Sequence, residues 1–261
     1  GKLAEGEIKK IRGKYYGFRP EDDGEGKGAA MLNGLVLMRV VGDQIIDVHD
    51  DGIDADELSN LLDGDYDSYL SAGYTLFYFG NDEDSDGAMK TGATTVNLDD
   101  ESFNFLFSKS GGEEGKGRGM TGIDDNKYIY KAGCRIKADS DDKYQVVQVT
   151  GTTDINSGTA VVDKTDSATL RTASATIPFT NDDKEAVRYN KMVGQNYYLV
   201  NTSGSIQKNK AAAKDGNEWF FYVHNRDVKL YSNNKNMDED NNDAREDWKD
   251  YLTDAEYDLE N

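Results

Sequence analysis

One unit recurs along this 261-residue chain, and it limits the available folds more than any other feature. Each copy has a run of aromatic residues, a polar turn rich in Gly, Asp or Asn, and a short return centred on Met, Ile or Val. The clearest is "FYFGNDEDSDGAMKTG" at 77–92, with Phe77-Tyr78-Phe79 ahead of Gly87, Met89 and Gly92. An earlier copy sets Tyr15-Tyr16-Gly17-Phe18 before Met31 and Gly34. Phe103, Phe105 and Phe107 precede Met120 and Gly122, and Tyr128 and Tyr130 precede Ile136. Tyr197-Tyr198-Leu199 precedes Ile206, and Trp219-Phe220-Phe221-Tyr222 precedes Val228.

The physics of the unit is that of a β-hairpin. Alternating aromatics put a row of rings on one strand face. Clustered Gly, Asp and Asn supply the positive φ angles of a tight reversal. A lone hairpin is marginal in water, so copies must pack on one another to bury a continuous core. Composition agrees: only 36% of residues are hydrophobic, while 27 glycines, 16 tyrosines and 9 phenylalanines favour turns and strands with aromatic cores. The fold class expected is mainly β, a solenoid-like array of β-hairpin repeats with two insertions and a short C-terminal helix.

The pattern resembles the cell-wall-binding repeat family, the choline-binding and glucan-binding hairpin repeats of Gram-positive surface proteins. "FYFGNDEDSDGAMKTG" and "YYLVNTSGSIQKNK" match best, then "KYIYKAGCRIKA" and "WFFYVHNRDVKLY". The resemblance spans about 14–34, 75–137 and 195–231. It implies a secreted, cell-wall-associated protein that attaches to wall polysaccharide or teichoic acid through aromatic clefts. Ligand-binding members hold a choline head group in a cage usually built with tryptophan, each good contact being worth on the order of 1–2 kcal/mol. Here Trp219 alone stands in a repeat. Most matching positions carry Tyr or Phe, as at Tyr15, Tyr78, Phe105, Tyr128 and Tyr197, and such rings serve equally well as core. The ligand-binding residues expected from the resemblance are Trp219, Tyr197, Tyr198, Tyr78 and Phe79. The alternative is a structural stalk or protein-interaction module with no small ligand.

Six segments follow: hairpin repeats at 1–34, 75–139 and 195–232, insertions at 35–74 and 140–194, and an acidic linker and helix at 233–261. The first insertion opens with the apolar run 35–41, and Gly42-Asp43 reads as the turn of a hairpin. Asp54 is placed to cap a short helix containing Leu58, Leu61 and Leu62. Asp47, His49, Asp51 and Gly52 also look like the opening of a calcium loop closed by Glu57. That loop is one residue short, because the closing carboxylate belongs six places after the glycine. A helix entry is therefore the reading preferred, and no metal ligand is assigned. The second insertion is rich in Thr and Val, with a strand expected over 173–179, and would enlarge a hairpin or add a small sheet. Its tip is a candidate contact for a protein partner. Ala244, Trp248, Leu252 and Ala255 recur at helical spacing near the C-terminus.

Charge excludes some partners. The formal net charge is −20, which repels phosphate backbones, so no nucleic acid is expected. No apolar run approaches a membrane span. The chain opens Gly1-Lys2 without methionine, as expected where a signal peptide has been removed. Cys134, the sole cysteine, cannot form an intrachain disulfide.

Catalytic readings fail on spacing. "GEGKG" and "GGEEGKGRG" lack the glycine, four-residue gap and Gly-Lys-Ser/Thr of a phosphate loop. Cys134 with His49 or His224 makes no zinc set and no sequence-evident thiol catalyst. No carboxylate pair stands in an apolar setting. The expectation is a non-enzyme with no cofactor.

Overall fold

The computed structural model describes residues 3–20, 28–80, 86–110, 115–167, 176–178, 185–188, 196–233 and 235. Within them the protein is mainly antiparallel β, with one longer helical segment and a 3-10 turn at Ile155–Ser157. The chain divides into two compact units, residues 1–121 with 130–135, and 122–129 with 136–261. The expected C-terminal helix lies outside the described residues.

In the first unit, β1 (Glu7–Ile11), β2 (Lys14–Phe18), β3 (Gly34–Val41), β4 (Gln44–Asp50) and β5 (Tyr74–Phe79) form a sheet in the order β2-β1-β4-β3-β5. Its two outer strands reach a common segment. Met89 donates its backbone N–H to the Tyr15 carbonyl on β2, and Lys90 donates to the Tyr78 carbonyl on β5, both at 2.8 Å. The sheet is thereby curled toward closure, which covers edges that would otherwise be unpaired. Ile8, Val36, Met38, Ile45, Phe77 and Phe79 fill the inside of the curl.

The run 35–41 forms an interior strand of this sheet. As β3 it lies between β4 and β5, and its two faces feed different cores: Val36, Met38 and Val40 point into the curl, while Leu35 and Leu37 join Leu76, Tyr78, Phe105 and Phe107. Burial on both faces explains an apolar run without alternation. The second core is completed by β6 (Gly92–Leu98), β7 (Glu101–Phe107) and the helical segment. β6 and β7 pair from Gly92↔Phe107 to Leu98↔Glu101.

Asp54 caps the helix as expected. Its Oδ1 accepts from the Glu57 N–H at 2.8 Å, and Glu57 Oε2 accepts from the Asp54 N–H at 2.9 Å, a reciprocal box that satisfies two donors of the first turn. The segment runs through α1 (Ala55–Asn60), a π-helical turn at Leu61–Asp65 and α2 (Tyr66–Ser71), with Leu58, Leu61 and Tyr66 buried.

The second unit begins with β8 (Gly122–Asp124); β9 (Tyr128–Lys131) runs out of it into the first, where β10 (Cys134–Arg135) pairs with the end of β9 and with β7. β11 (Tyr144–Thr150) and β12 (Val161–Thr165) then form a hairpin. β13 (Thr176–Pro178) and β14 (Glu185–Arg188) precede β15 (Asn196–Asn201), which pairs with β11. β12, β11 and β15 form a three-stranded sheet with β11 at its centre. β16 (Lys210–Lys214), β17 (Phe220–His224) and β18 (Asp227–Ser232) join β13 and β14 in the order β13-β14-β18-β17-β16.

All six expected returns bond back to their aromatic strand, five of them in antiparallel pairing. Phe18 bridges Met31, Phe107 bridges Gly119, and Val200 bridges Ile206. Lys90 returns to Tyr78, and Ile136 to Ile129. Val223 pairs with Val228. The first copy has a further partner on its other side: Tyr15 and its neighbours already form the return arm of the β1–β2 hairpin.

Candidate functional site

The aromatic site of the second unit is built from two turns and two sheets. On β11 and β15 the pairs Val146↔Leu199 and Gln148↔Tyr197 share one face, so Tyr144, Val146, Tyr197 and Leu199 all point to the same core as Phe221 and Tyr231. Trp219 enters that core from the turn before β17. Its indole packs on Tyr231 with centroids 4.9 Å apart, and Tyr231 stacks on Phe221 at 4.3 Å. Tyr144 meets Phe221 edge-on at 6.3 Å. Phe221 and Tyr231 are fully enclosed, whereas Tyr144, Tyr197 and Trp219 are only partly buried. The result is an aromatic layer with an interior row and an outer row, the outer one reaching solvent.

Asp215 holds this layer together. Its carboxylate is buried, with 4% of the residue exposed. Oδ1 accepts from the N–H groups of Asn217 at 2.8 Å and Trp219 at 2.9 Å, and Oδ2 accepts from the Tyr231 hydroxyl. The Asp215 N–H in turn donates to the Trp219 carbonyl at 2.8 Å. A buried carboxylate needs such donors, since leaving it unpaired would cost several kcal/mol. The neighbouring Gly216 gives its N–H to the Asp142 carbonyl at 3.0 Å, joining this turn to the one that leads into Tyr144. A Cβ at Gly216 would lie 1.9 Å from the Asp141 carbonyl oxygen, so only glycine allows the approach.

The five residues expected at a ligand site divide accordingly. Trp219 and Tyr197 share the layer just described. Tyr198 points to the opposite face of β15, against the core of Val147, Val149, Val162 and Val200. Its phenol is pushed up by burial and then by the Asp227 charge. Tyr78 and Phe79 are core residues of the first unit, 4% and 0% exposed. Both faces of β5 are covered, Phe79 by the curl and Tyr78 by the Phe107 ring 6.3 Å away, so neither presents a face to a ligand. Sequence reasoning missed Tyr144 and Asp215. Tyr144 follows an acidic turn, as Phe103, Tyr128 and Trp219 do, and that signal was available; a lone aspartate among so many acids carries none.

The first unit holds a cleft of about 190 Å³. Leu37, Ile53 and Leu61 form its floor, His49 and Tyr69 a ring wall with centroids 4.4 Å apart, and Asp50, Glu57 and Asp65 its rim. Burial, and then the Glu57 charge, pushes the Asp50 carboxyl above its ordinary value. A bulge in the β3–β4 pairing beside His49 and the π-helical turn through Asp65 both border the cleft.

The calcium-loop residues nearby are dispersed. β4 runs on to Asp50, which makes Asp47 and His49 strand residues. Asp47 accepts from the Tyr74 hydroxyl, Asp51 pairs with Arg19 at 2.6 Å, and Glu57 closes the capping box. Among the described residues no group of three or more His, Cys, Asp or Glu is placed to hold a metal.

No protein-family model, curated protein or solved structure matches the chain. Fold and site alone therefore define its class: a mainly antiparallel β protein that carries, among the described residues, an aspartate-anchored aromatic layer.

Proposed function

We propose that the chain is a non-catalytic attachment protein of the bacterial cell surface, in which hairpin-repeat units hold a wall polymer on aromatic side chains. The observation that carries this reading is the layer of Tyr144, Tyr197 and Trp219, three large rings from separate strands and turns, partly exposed over an enclosed aromatic row. Ring faces of this kind suit the apolar C–H face of a sugar, and Tyr and Trp combine that area with a polar handle. Of the two polymers considered, wall glycan is favoured over teichoic acid, because a chain of charge −20 repels a polyanionic phosphodiester. Tyr198, on the other face of β15 against a separate core, is no part of this surface.

Co-sedimentation with isolated Gram-positive walls, with and without choline, tests the reading. The wild-type chain sediments with the walls and excess choline does not release it. Trp219→Ala lowers the bound fraction in a folded protein. A wild-type chain that stays in the supernatant overturns the proposal.

The second reading is a stalk or protein-interaction module. It is favoured by one observation, the complete enclosure of Tyr78 and Phe79, which makes the best-matching repeat a packing unit. It predicts no sedimentation with walls and an unchanged fold.

A further inference from the structure

We propose that the Asp215-Gly216 pair positions the aromatic surface, with Asp215 holding Trp219 and Gly216 docking the turn that presents Tyr144. The inference rests on the wall-attachment reading above. Its physical basis is a concentration of constraints on one buried carboxylate. Asp215 takes the N–H groups of Asn217 and Trp219 on one oxygen and the Tyr231 hydroxyl on the other. It thus fixes the backbone at Trp219 and, through a different strand, the ring on which the indole lies. Both of its oxygens are engaged within the protein, so Asp215 acts on a ligand only through Trp219. Gly216 secures the neighbouring turn. Its N–H meets Asp142, and the absence of a Cβ lets the 139–144 turn close on the 215–219 turn. The turn before β11 is itself braced by the Lys143 N–H on the Asp139 carbonyl at 2.9 Å. Two acidic turns 76 positions apart (Asp139 and Asp215) are thereby locked side by side, each ending in an outward aromatic.

A merely structural aspartate would affect stability alone, so the test reads position and stability separately. Asp215→Asn keeps the shape but replaces the oxygen that receives the Tyr231 hydroxyl. Tyr231→Phe removes the same link from the other side, and Gly216→Ala forces the turns apart. Each is made in a Trp248→Phe background so that Trp219 is the only indole. Val162→Ala, in a core that excludes Trp219, serves as a control for lost stability. Acrylamide quenching of Trp219, melting temperature and the dissociation constant for isolated walls are measured on all four. The expected result is greater quenching and about tenfold weaker binding in the three site variants, equivalent to about 1.4 kcal/mol, while Val162→Ala melts lower and binds normally. If Asp215→Asn does not fold, Tyr231→Phe carries the same test. Normal quenching and binding in folded Tyr231→Phe and Gly216→Ala would overturn the inference. If Trp219→Ala itself binds like the wild type, it is the attachment reading that has failed.

Discussion

Phe79→Ala separates an aromatic that builds the fold from one that meets a ligand. Phe79 closes β5 opposite Gly34, and its ring lies directly over Gly17 on β2, where a Cβ would come within 2.8 Å of the ring's Cζ. The ring fills the space left by Gly17, and the strands around it are tied by backbone hydrogen bonds. A void there has little means to collapse, which places the cost high in the usual range for Phe→Ala, about 4 kcal/mol. For the first unit, of 127 residues, unfolding entropy of about 2.1 cal/mol/K per residue converts that loss to a fall in Tm of roughly 15 °C. Differential scanning calorimetry measures the shift. Wall co-sedimentation at 10 °C, where the variant stays folded, measures binding. The reasoning expects a large thermal loss and unchanged binding per folded molecule. A variant with wild-type Tm and lost binding would refute it, because Phe79 would then be at the surface and not beneath it.

Three further outcomes follow from particular contacts. Asp54→Ala removes the side-chain acceptor of the Glu57 N–H and lowers unfolding free energy by about 1 kcal/mol, read from urea denaturation. Gly119→Ala drives a Cβ to 2.3 Å from the Ala132 carbonyl oxygen, a backbone atom, and costs about 1–3 kcal/mol or more in the same assay. Burial pushes the Tyr66 phenol well above its ordinary value. Since the unfolded phenol ionises near pH ~10, the unfolded state releases a proton first, and stability present below that pH is lost as pH rises above it. Melting temperatures from pH 9 to 11 should fall less steeply in Tyr66→Phe than in the wild type.

Local reversals were the legible part of this fold, because turn chemistry is written in adjacent residues. The hairpin at Gly42-Asp43 and the Asp54 helix cap appear where spacing placed them. The β6–β7 hairpin escaped notice for an equally local reason. Its two-residue turn is Asp99-Asp100, with φ of 49° and 66°, a primed turn made without the glycine that usually marks one. Ala132 and Arg226 likewise adopt positive φ in turns without the Asn-Gly signal. Each such residue has a modest conformational cost, offset by the strand pairing it permits.

Which aromatics belong to a site was not legible, because alternation reports the face of a strand and not how many layers cover it. Tyr197-Tyr198-Leu199 and Phe77-Tyr78-Phe79 look alike as sequence. The first sits on β15, where both tyrosines keep some exposure; the second sits on β5, where every residue from Thr75 to Phe79 is buried. What distinguishes them is the partner strand. β5 pairs with β3, whose consecutive apolar residues Leu35 to Met38 already imply cover on both faces, and a strand beside it inherits that cover. β15 pairs with β11, where Gln145 and Gln148 interrupt the valines and mark an incompletely covered sheet. Had pairing been known, the polar content of the neighbouring strand would have moved Tyr78 and Phe79 from site to core. It would also have left Tyr197 where it is, and drawn attention to Tyr144 at the head of that same interrupted strand.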